Sequence, residues 1–324
     1  MQTLEQGHIV ALRQNDVRRM SLSVGFQPYR KGLRVLEGEC KAFWTLLMFL
    51  MFFPFNMTTL GLLVAGAALT SALPSSPPSY LSPVMVSQSP SKGAGIPLQP
   101  FVSYSIEFSS FPDFAGNLSS PNTFSNNLLN NLGHFTGIKP YIRVGGNTQD
   151  YAVFNKSLDT ALVGIVDPAK SPDYPTTITI GPKYFESYLT WPDTHFIHGF
   201  DLGRNSSIAR QGLIDSVAYA CKALRGKLAY WELGNEPDLY KTSAQGPVRP
   251  STWHEQDYAN EWLHWTRALK VALAKACPDL ATDAKYKYYS PSFAGTGGNS
   301  LDPITTWEDG LDTYKDIAII SSHK

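Results

Sequence analysis

The sequence predicts an α/β chain of the (β/α)8 TIM-barrel type, incomplete, with about six strand units. From Phe101 onward, short β-rich apolar runs alternate with longer segments whose apolar residues recur at helical spacing. That alternation builds a parallel sheet covered by helices. Polar residues gather at the carboxyl ends of the runs: Glu107, Arg143 with Asn147, Asp201, Asn235 with Glu236, and His323. A barrel keeps its active site at that rim. An open doubly wound sheet fits the alternation too, but no G-x-G-x-x-G follows the first strand, so a dinucleotide fold loses support.

The elements follow in order. "FVSYSIEF" is the first strand, and "TFSNNLLNNLGHF" is a helix with Phe124, Leu128, Leu132 and Phe135 at helical spacing. "YIRVGG" is the second strand. An insertion over residues 148–182 holds one small strand, "TTITI". "KYFESYLTW" reads as a short helix and "FIHGFDLG" as the third strand. The next helix aligns Leu213, Val217, Cys221 and Leu224, with Gly226 as its stop. "LAYWELG" is the fourth strand. A long helix then places Tyr258, Trp262, Trp265, Leu269 and Leu273 on one stripe and ends at Pro278. "KYYSPSFAG" and "DIAIISSH" are the fifth and sixth strands, with "DPITTWEDGLDTYK" as the helix between them.

Composition excludes some classes. The 324 residues carry 27 basic and 27 acidic side chains, so the basic surplus of a nucleic-acid binder is missing. A 43% hydrophobic and 12% aromatic content supports a sizeable core. Tryptophan and tyrosine also suit a carbohydrate surface, but core is their commoner use. Cys40, Cys221 and Cys277 form no C-x-x-C. Cys221 and Cys277 could pair; because both fall on apolar helix faces, free buried thiols are the preferred reading. His195 and His198 lack a third ligand at useful spacing, so neither a metal nor a cofactor is expected.

The first hundred residues read differently. Residues 1–56, with the basic "RRMSLSVGFQPYRKGLR", read as an extension or mis-called start ahead of Met57. Residues 57–72 read as a signal peptide, since "LGLLVAGAALTSAL" is apolar and ends in small residues, Thr70 and Ala72. The alternative joins it with "FWTLLMFLMFFPF" into one signal-anchor, against which Pro54 and Asn56 argue. Residues 73–99 are a Pro/Ser-rich lead-in to the partial domain at 100–324. Three sequons, Asn117, Asn155 and Asn205, agree with secretion and predict glycan.

The stretch "YWELGNEPDLY", residues 230–240, carries the chemistry. Gly234 lets the fourth strand bend at the rim, Asn235 and Glu236 project into the mouth, and Pro237 ends the ladder. A carboxyl so placed suits general acid work, and the amide beside it can hold a sugar hydroxyl. As a bare tetrapeptide, Gly-Asn-Glu-Pro is also a turn. Its place at the end of a buried strand favours catalysis.

This segment resembles the acid/base segment of glycoside hydrolase family 79, which holds β-glucuronidases and heparanases. "YIRVGGNTQDYAVF" is similar to that family's second-strand segment, "FVSYSIEF" to its first, and "SSH" to the start of its sixth. The resemblance covers about Phe101 to Lys324. The glutamate and loop of "SIEFSSFPDFAGN" lean toward the microbial β-glucuronidases rather than heparanase.

The resemblance implies a retaining mechanism with Glu236 as acid/base and Asn235 on the sugar hydroxyl next to the reacting carbon. Arg143 would hold carboxylates under the site. Glu107, Asn147 and, more weakly, His323 would line the sugar subsite. Asp201 has no matched role and reads as a loop or cap residue. The family's nucleophile lies on a seventh strand, which this sequence does not reach; Glu308 and Asp309 fall on the helix before the sixth strand. The fragment is therefore expected to be inactive, with two open sheet edges. The implied protein is a secreted β-glucuronidase acting on a carbohydrate. An endo-acting heparanase-like hydrolase would need basic clusters that "KPYIR" and "KYKYY" do not supply. A non-catalytic carbohydrate-binding or membrane-anchored remnant is the alternative from another class.

Overall fold

The computed structural model of the chain describes residues 12–13, 89, 99–100, 102–243, 247–295 and 300–323. The apolar runs at 43–55 and 60–73, Met57 and Cys40 lie outside the described residues. So does nearly all of the extension (1–56), the signal peptide (57–72) and the lead-in (73–99).

Six strands pair in parallel: β2 (Tyr104–Glu107), β3 (Ile142–Gly145), β7 (Phe196–Phe200), β8 (Leu228–Leu233), β9 (Tyr288–Phe293) and β10 (Ile317–Ser322). Each lies beside the one before it in this series. A doubly wound sheet reverses its order at a switch point; among the described residues these six parallel strands do not. It curls into a half-barrel, as the alternation and rim residues predict. One edge differs from expectation. The short strand β1 (Leu12–Arg13) pairs antiparallel with Ile319 and Ile320 of β10, so that edge carries a partner.

The insertion holds more than one strand. β4 (Ala152–Phe154) and β5 (Leu162–Ile165) flank β6 (Thr177–Ile180) in a separate three-stranded sheet. "KYFESYLTW" becomes a 3₁₀ helix over Pro182–Leu189.

The helices differ in how well their spacing foretold burial. α1 (Phe111–Ala115) is short and buries Phe111. α3 (Ser207–Ala223) starts where the Ser206 side chain accepts from the Ala209 N–H. It buries Leu213, Val217 and Cys221, and Leu224 just beyond its end. α4 (Glu255–Ala276) buries Tyr258, Trp262, Leu269 and Leu273, with Trp265 half-buried. In α2 (Thr123–Thr136) the stripe is a correction: Phe124 is 71% and Phe135 83% exposed, Leu128 is exposed as well, and Leu132 is half-buried. Leu129 is the residue it buries. Helical spacing identified the helix, but the side it buries runs through Leu129 and not through Phe124, Leu128 and Phe135. α5 (Pro303–Glu308) is shorter than the run that suggested it. Asp309 caps it and Gly310 turns the chain, leaving Glu308 and Asp309 ahead of β10 as expected.

Two apolar layers result. The larger lies between sheet and helices, where Trp191, Trp231 and Trp262 are fully buried. The aromatic content is thus largely core. A smaller cluster of Ile197, Tyr289 and Ile319 forms on the other face of the sheet.

The cysteines are a second correction. Cys221 and Cys277 form a disulfide across 56 residues, in place of two free thiols. Spacing could not show this, because only the packing of α3 against α4 brings the two together. Such a bond restricts the unfolded chain. Cys277→Ser should therefore lower unfolding stability by about 2–4 kcal/mol. Denaturant midpoints with and without reductant measure this, and reductant should leave the variant unchanged.

Candidate active site

The rim residues come from five strands, β2, β3, β7, β8 and β10, and the turns that follow them. On β3, Arg143 is buried and faces Ser105 and Ile197 in register. Its Nε and Nη2 grip both oxygens of Glu232 on β8, at 2.8 and 2.9 Å. Nη2 also donates to Asn235 Oδ1 at 2.8 Å, and Nη1 to Ser105 Oγ at 3.0 Å. Gly145 makes room for this pair: a Cβ there would stand 2.9 Å from Glu232 Oε2 and 3.0 Å from Arg143 Cζ.

β8 ends at Gly234, whose φ of 82° side chains rarely adopt. A Cβ would also press on the Tyr240 hydroxyl at 2.8 Å. The expected bend is there. Asn235 is buried beyond it, with its amide fixed from both ends: Oδ1 accepts from Arg143, and Nδ2 donates to Asn147 Oδ1 at 3.0 Å. Asn147 is exposed and donates in turn to the Tyr174 hydroxyl.

Glu236 follows in the left-handed region, with φ 48° and ψ 49°. For a residue other than glycine this costs about 1–3 kcal/mol, and such strain gathers at functional sites. The backbone N–H of Glu236 donates to Ser292 O at 3.0 Å. Its Oε1 lies 3.0 Å from His323 Nδ1, at the end of β10. The Glu236 side chain is 27% exposed, so it reaches both solvent and the imidazole.

Arg143, Asn147, Asn235, Glu236 and His323 thus form one linked group. Glu107 joins at the side: its Oε1 accepts from the Thr148 N–H at 2.7 Å and from the Thr148 hydroxyl. Asp201 caps a loop, accepting from the Arg204 N–H at 2.9 Å. His198 stays in the core, with Nδ1 2.6 Å from the Tyr188 hydroxyl. The sequons at Asn117, Asn155 and Asn205 lie on exposed residues away from this group.

The sequence reading missed Glu232, Asp150 and Asp238. Asp238 is buried and accepts from the Ala294 and Gly295 N–H groups, fixing the loop after β9. For Glu232 a signal existed. A carboxylate inside the buried run "YWEL" needs a cation, and "YIRVGG" holds an arginine within an equally apolar run.

The buried carboxyls set the pH response. Burial raises Glu107, against the Thr148 donors and Arg143. Burial also raises Asp238, pushes Asp150 up to about 6, and, with the charge of Asp150, lifts Asp201 well above the usual carboxylate range. Each binds its proton more tightly folded than unfolded, so each adds stability as pH falls through its folded pKa. His198 acts oppositely. Burial lowers it to about 3, so protonation of the unfolded chain removes stability below the ordinary imidazole range. Four groups oppose one. The melting temperature should rise as pH falls from about 6 toward about 4, because Asp150 offsets His198 there and the other three carboxyls add to it. Calorimetry across that range checks it, and a steady fall on acidification would contradict it.

A curled parallel sheet with an Asn-Glu pair at a strand tip is the architecture of the barrel glycosidases. No family model matches the chain. It is 54% identical over 271 residues to a β-glucuronidase of Aspergillus niger, covering 82% of this chain and 49% of that protein. It is 53% identical over 249 residues to a β-glucuronidase of Neurospora crassa, covering 76% and 44%. The chain therefore spans about half the length of these curated relatives. The crystal structure of a 4-O-α-L-rhamnosyl-β-D-glucuronidase from Fusarium oxysporum 12S, in complex with Rha-GlcA, is similar in fold. Its TM-score is 0.52 at 24% identity, over 70% of this chain and 45% of that one. The resemblance to family 79 β-glucuronidases read from the strand-end motifs is borne out.

Proposed function

We propose that this chain supplies the proton-donating and sugar-recognising side of a secreted, retaining β-glucuronidase. The observation that carries the reading is Glu236, strained at the strand tip, against His323 and next to an amide locked between Arg143 and Asn147. The relatives named β-glucuronidase support the substrate class. In this reading Glu236 gives its proton to the glycosidic oxygen as the bond from the anomeric carbon breaks. It then takes a proton from the water that releases the sugar. Asn235 holds the hydroxyl beside the reacting carbon, while Glu107, Asn147 and His323 line the subsite.

A retaining reaction also needs an attacking carboxylate about 5 Å from the acid. Glu107, Glu232, Asp150 and Asp238 are each engaged by buried donors. None of them is free to attack, so sugar binding is the readout to use with this chain. Saturation-transfer NMR on the purified protein should show D-glucuronate bound in preference to D-glucose, with Asn235→Ala weakening it. Equal binding of the two sugars, or none, overturns the reading.

Secretion is part of the same proposal. A Cys221–Cys277 disulfide suits an oxidising compartment. Among the described residues no helix is long and apolar enough to cross a membrane. Asn117 and Asn155 are well placed for glycan: both are exposed, with Oδ1 accepting from the Ser119 N–H and hydroxyl in the first and from the Ser157 N–H in the second. Protein from the medium should begin after about Ala72 and shift in mass on deglycosylation. Retention of residues 43–73 in a membrane fraction would refute this.

A further inference from the structure

We propose that Asp150 is the positioning residue of the acid/base segment: its carboxylate ties together the loops after β3, β7 and β8, and so holds Asn235 and Glu236 at the site. The inference rests on the function proposed above and adds a residue to it.

Asp150 lies on the turn that follows β3 and is buried at 5% exposure. All its acceptor capacity is spent on two other loops. Oδ1 accepts from the backbone N–H groups of Leu202 and Gly203, at 3.0 and 3.2 Å. Oδ2 accepts from the Asn235 N–H at 2.9 Å and from the Tyr240 hydroxyl at 2.6 Å. A carboxylate serving three backbone donors and a phenol across 90 residues of sequence is a tie between loops rather than a cap within one.

The far side of the tie is also fixed. The Leu202 carbonyl accepts from Arg210 and Arg249, and the Gly203 carbonyl from Arg249. Both arginines pair with Glu261 on α4. The peptide group joining Leu202 to Gly203 therefore stands between the two guanidinium groups at its carbonyl and the Asp150 carboxylate at its N–H, which strengthens that donor. On the near side, Asn235 is held at its N–H by Asp150, and Glu236 at its N–H by Ser292. Left-handed backbone at Glu236 persists only where its surroundings over-determine it, and these two bonds bracket it.

The test compares Asp150→Ala, Asp150→Asn and Tyr240→Phe with the wild-type chain. Amide hydrogen exchange reads the tie directly. In Asp150→Ala the Leu202, Gly203 and Asn235 amides should exchange faster by about tenfold or more, with β7 amides unchanged. D-Glucuronate affinity should fall by a similar factor. Asp150→Asn keeps the volume and should fall between; Tyr240→Phe removes one bond and should act least. Faster exchange at all three amides with unchanged glucuronate affinity would reduce Asp150 to scaffold and overturn the proposal. So would an Asn235 amide that stays protected. A wild type that fails to bind glucuronate sinks the functional reading instead, and the exchange pattern still decides whether Asp150 holds Asn235.

Discussion

Replacing Glu236 by glutamine should cut turnover of alkyl β-glucuronides by about 10²–10⁴, in any preparation of the protein that hydrolyses them. Glutamine keeps the shape of the side chain and its reach to His323, but it has no proton to give to a departing alkoxide. An aryl substrate with a good leaving group needs little protonation, so its first step should suffer far less. Its second step, in which water must be deprotonated, would then limit the rate. External azide needs no such help and should partly restore the aryl rate. These contrasts read the role of Glu236 rather than its presence. A uniform loss on both substrate types, without azide rescue, would mean that Glu236 holds the loop and does not move protons. The left-handed backbone at Glu236 makes that alternative concrete, which is why the leaving-group series is preferred to a single rate.

How much of this could be read beforehand depends on the kind of signal. The strands of the sheet were legible because buried parallel strands are apolar runs, and their ends were legible because polar residues follow them abruptly. Asn235 and Glu236 stood out for the same reason, with glycine before and proline after. What the sequence hid was pairing in space. Cys221 and Cys277 are 56 residues apart, and nothing local marks them as partners. Phe124, Leu128 and Phe135 have the spacing of a buried face yet are exposed in α2, since spacing says that a face exists and not what covers it. Asp150 looks like any turn aspartate in "GGNTQDY", and its four donors come from segments 52 to 90 residues away. Glu232 is the instructive case, because a charge inside an apolar strand is itself a demand for a partner.

That partner supplies the second large effect. Glu232→Ala should destabilise the protein by about 3–5 kcal/mol, because it strands the Arg143 guanidinium without its carboxylate in a buried site. A typical domain has about 5–15 kcal/mol in total, so the variant would be marginal. The pair is nevertheless a poor source of net stability, since desolvating both charges offsets most of their attraction. Replacing both, as Arg143→Met with Glu232→Leu, should therefore recover much of the loss. It should not recover function. Arg143 Nη2 also donates to Asn235 Oδ1, and with it gone the Asn235 amide is held only by Asn147. The expected result is a double variant that unfolds near the wild-type denaturant midpoint yet binds D-glucuronate weakly. A double variant that recovers both would make the pair a packing element, with Asn235 oriented by its backbone alone. One that recovers neither would mean that Ser105 and Ser292, which also bond to this pair, cannot be left facing apolar side chains.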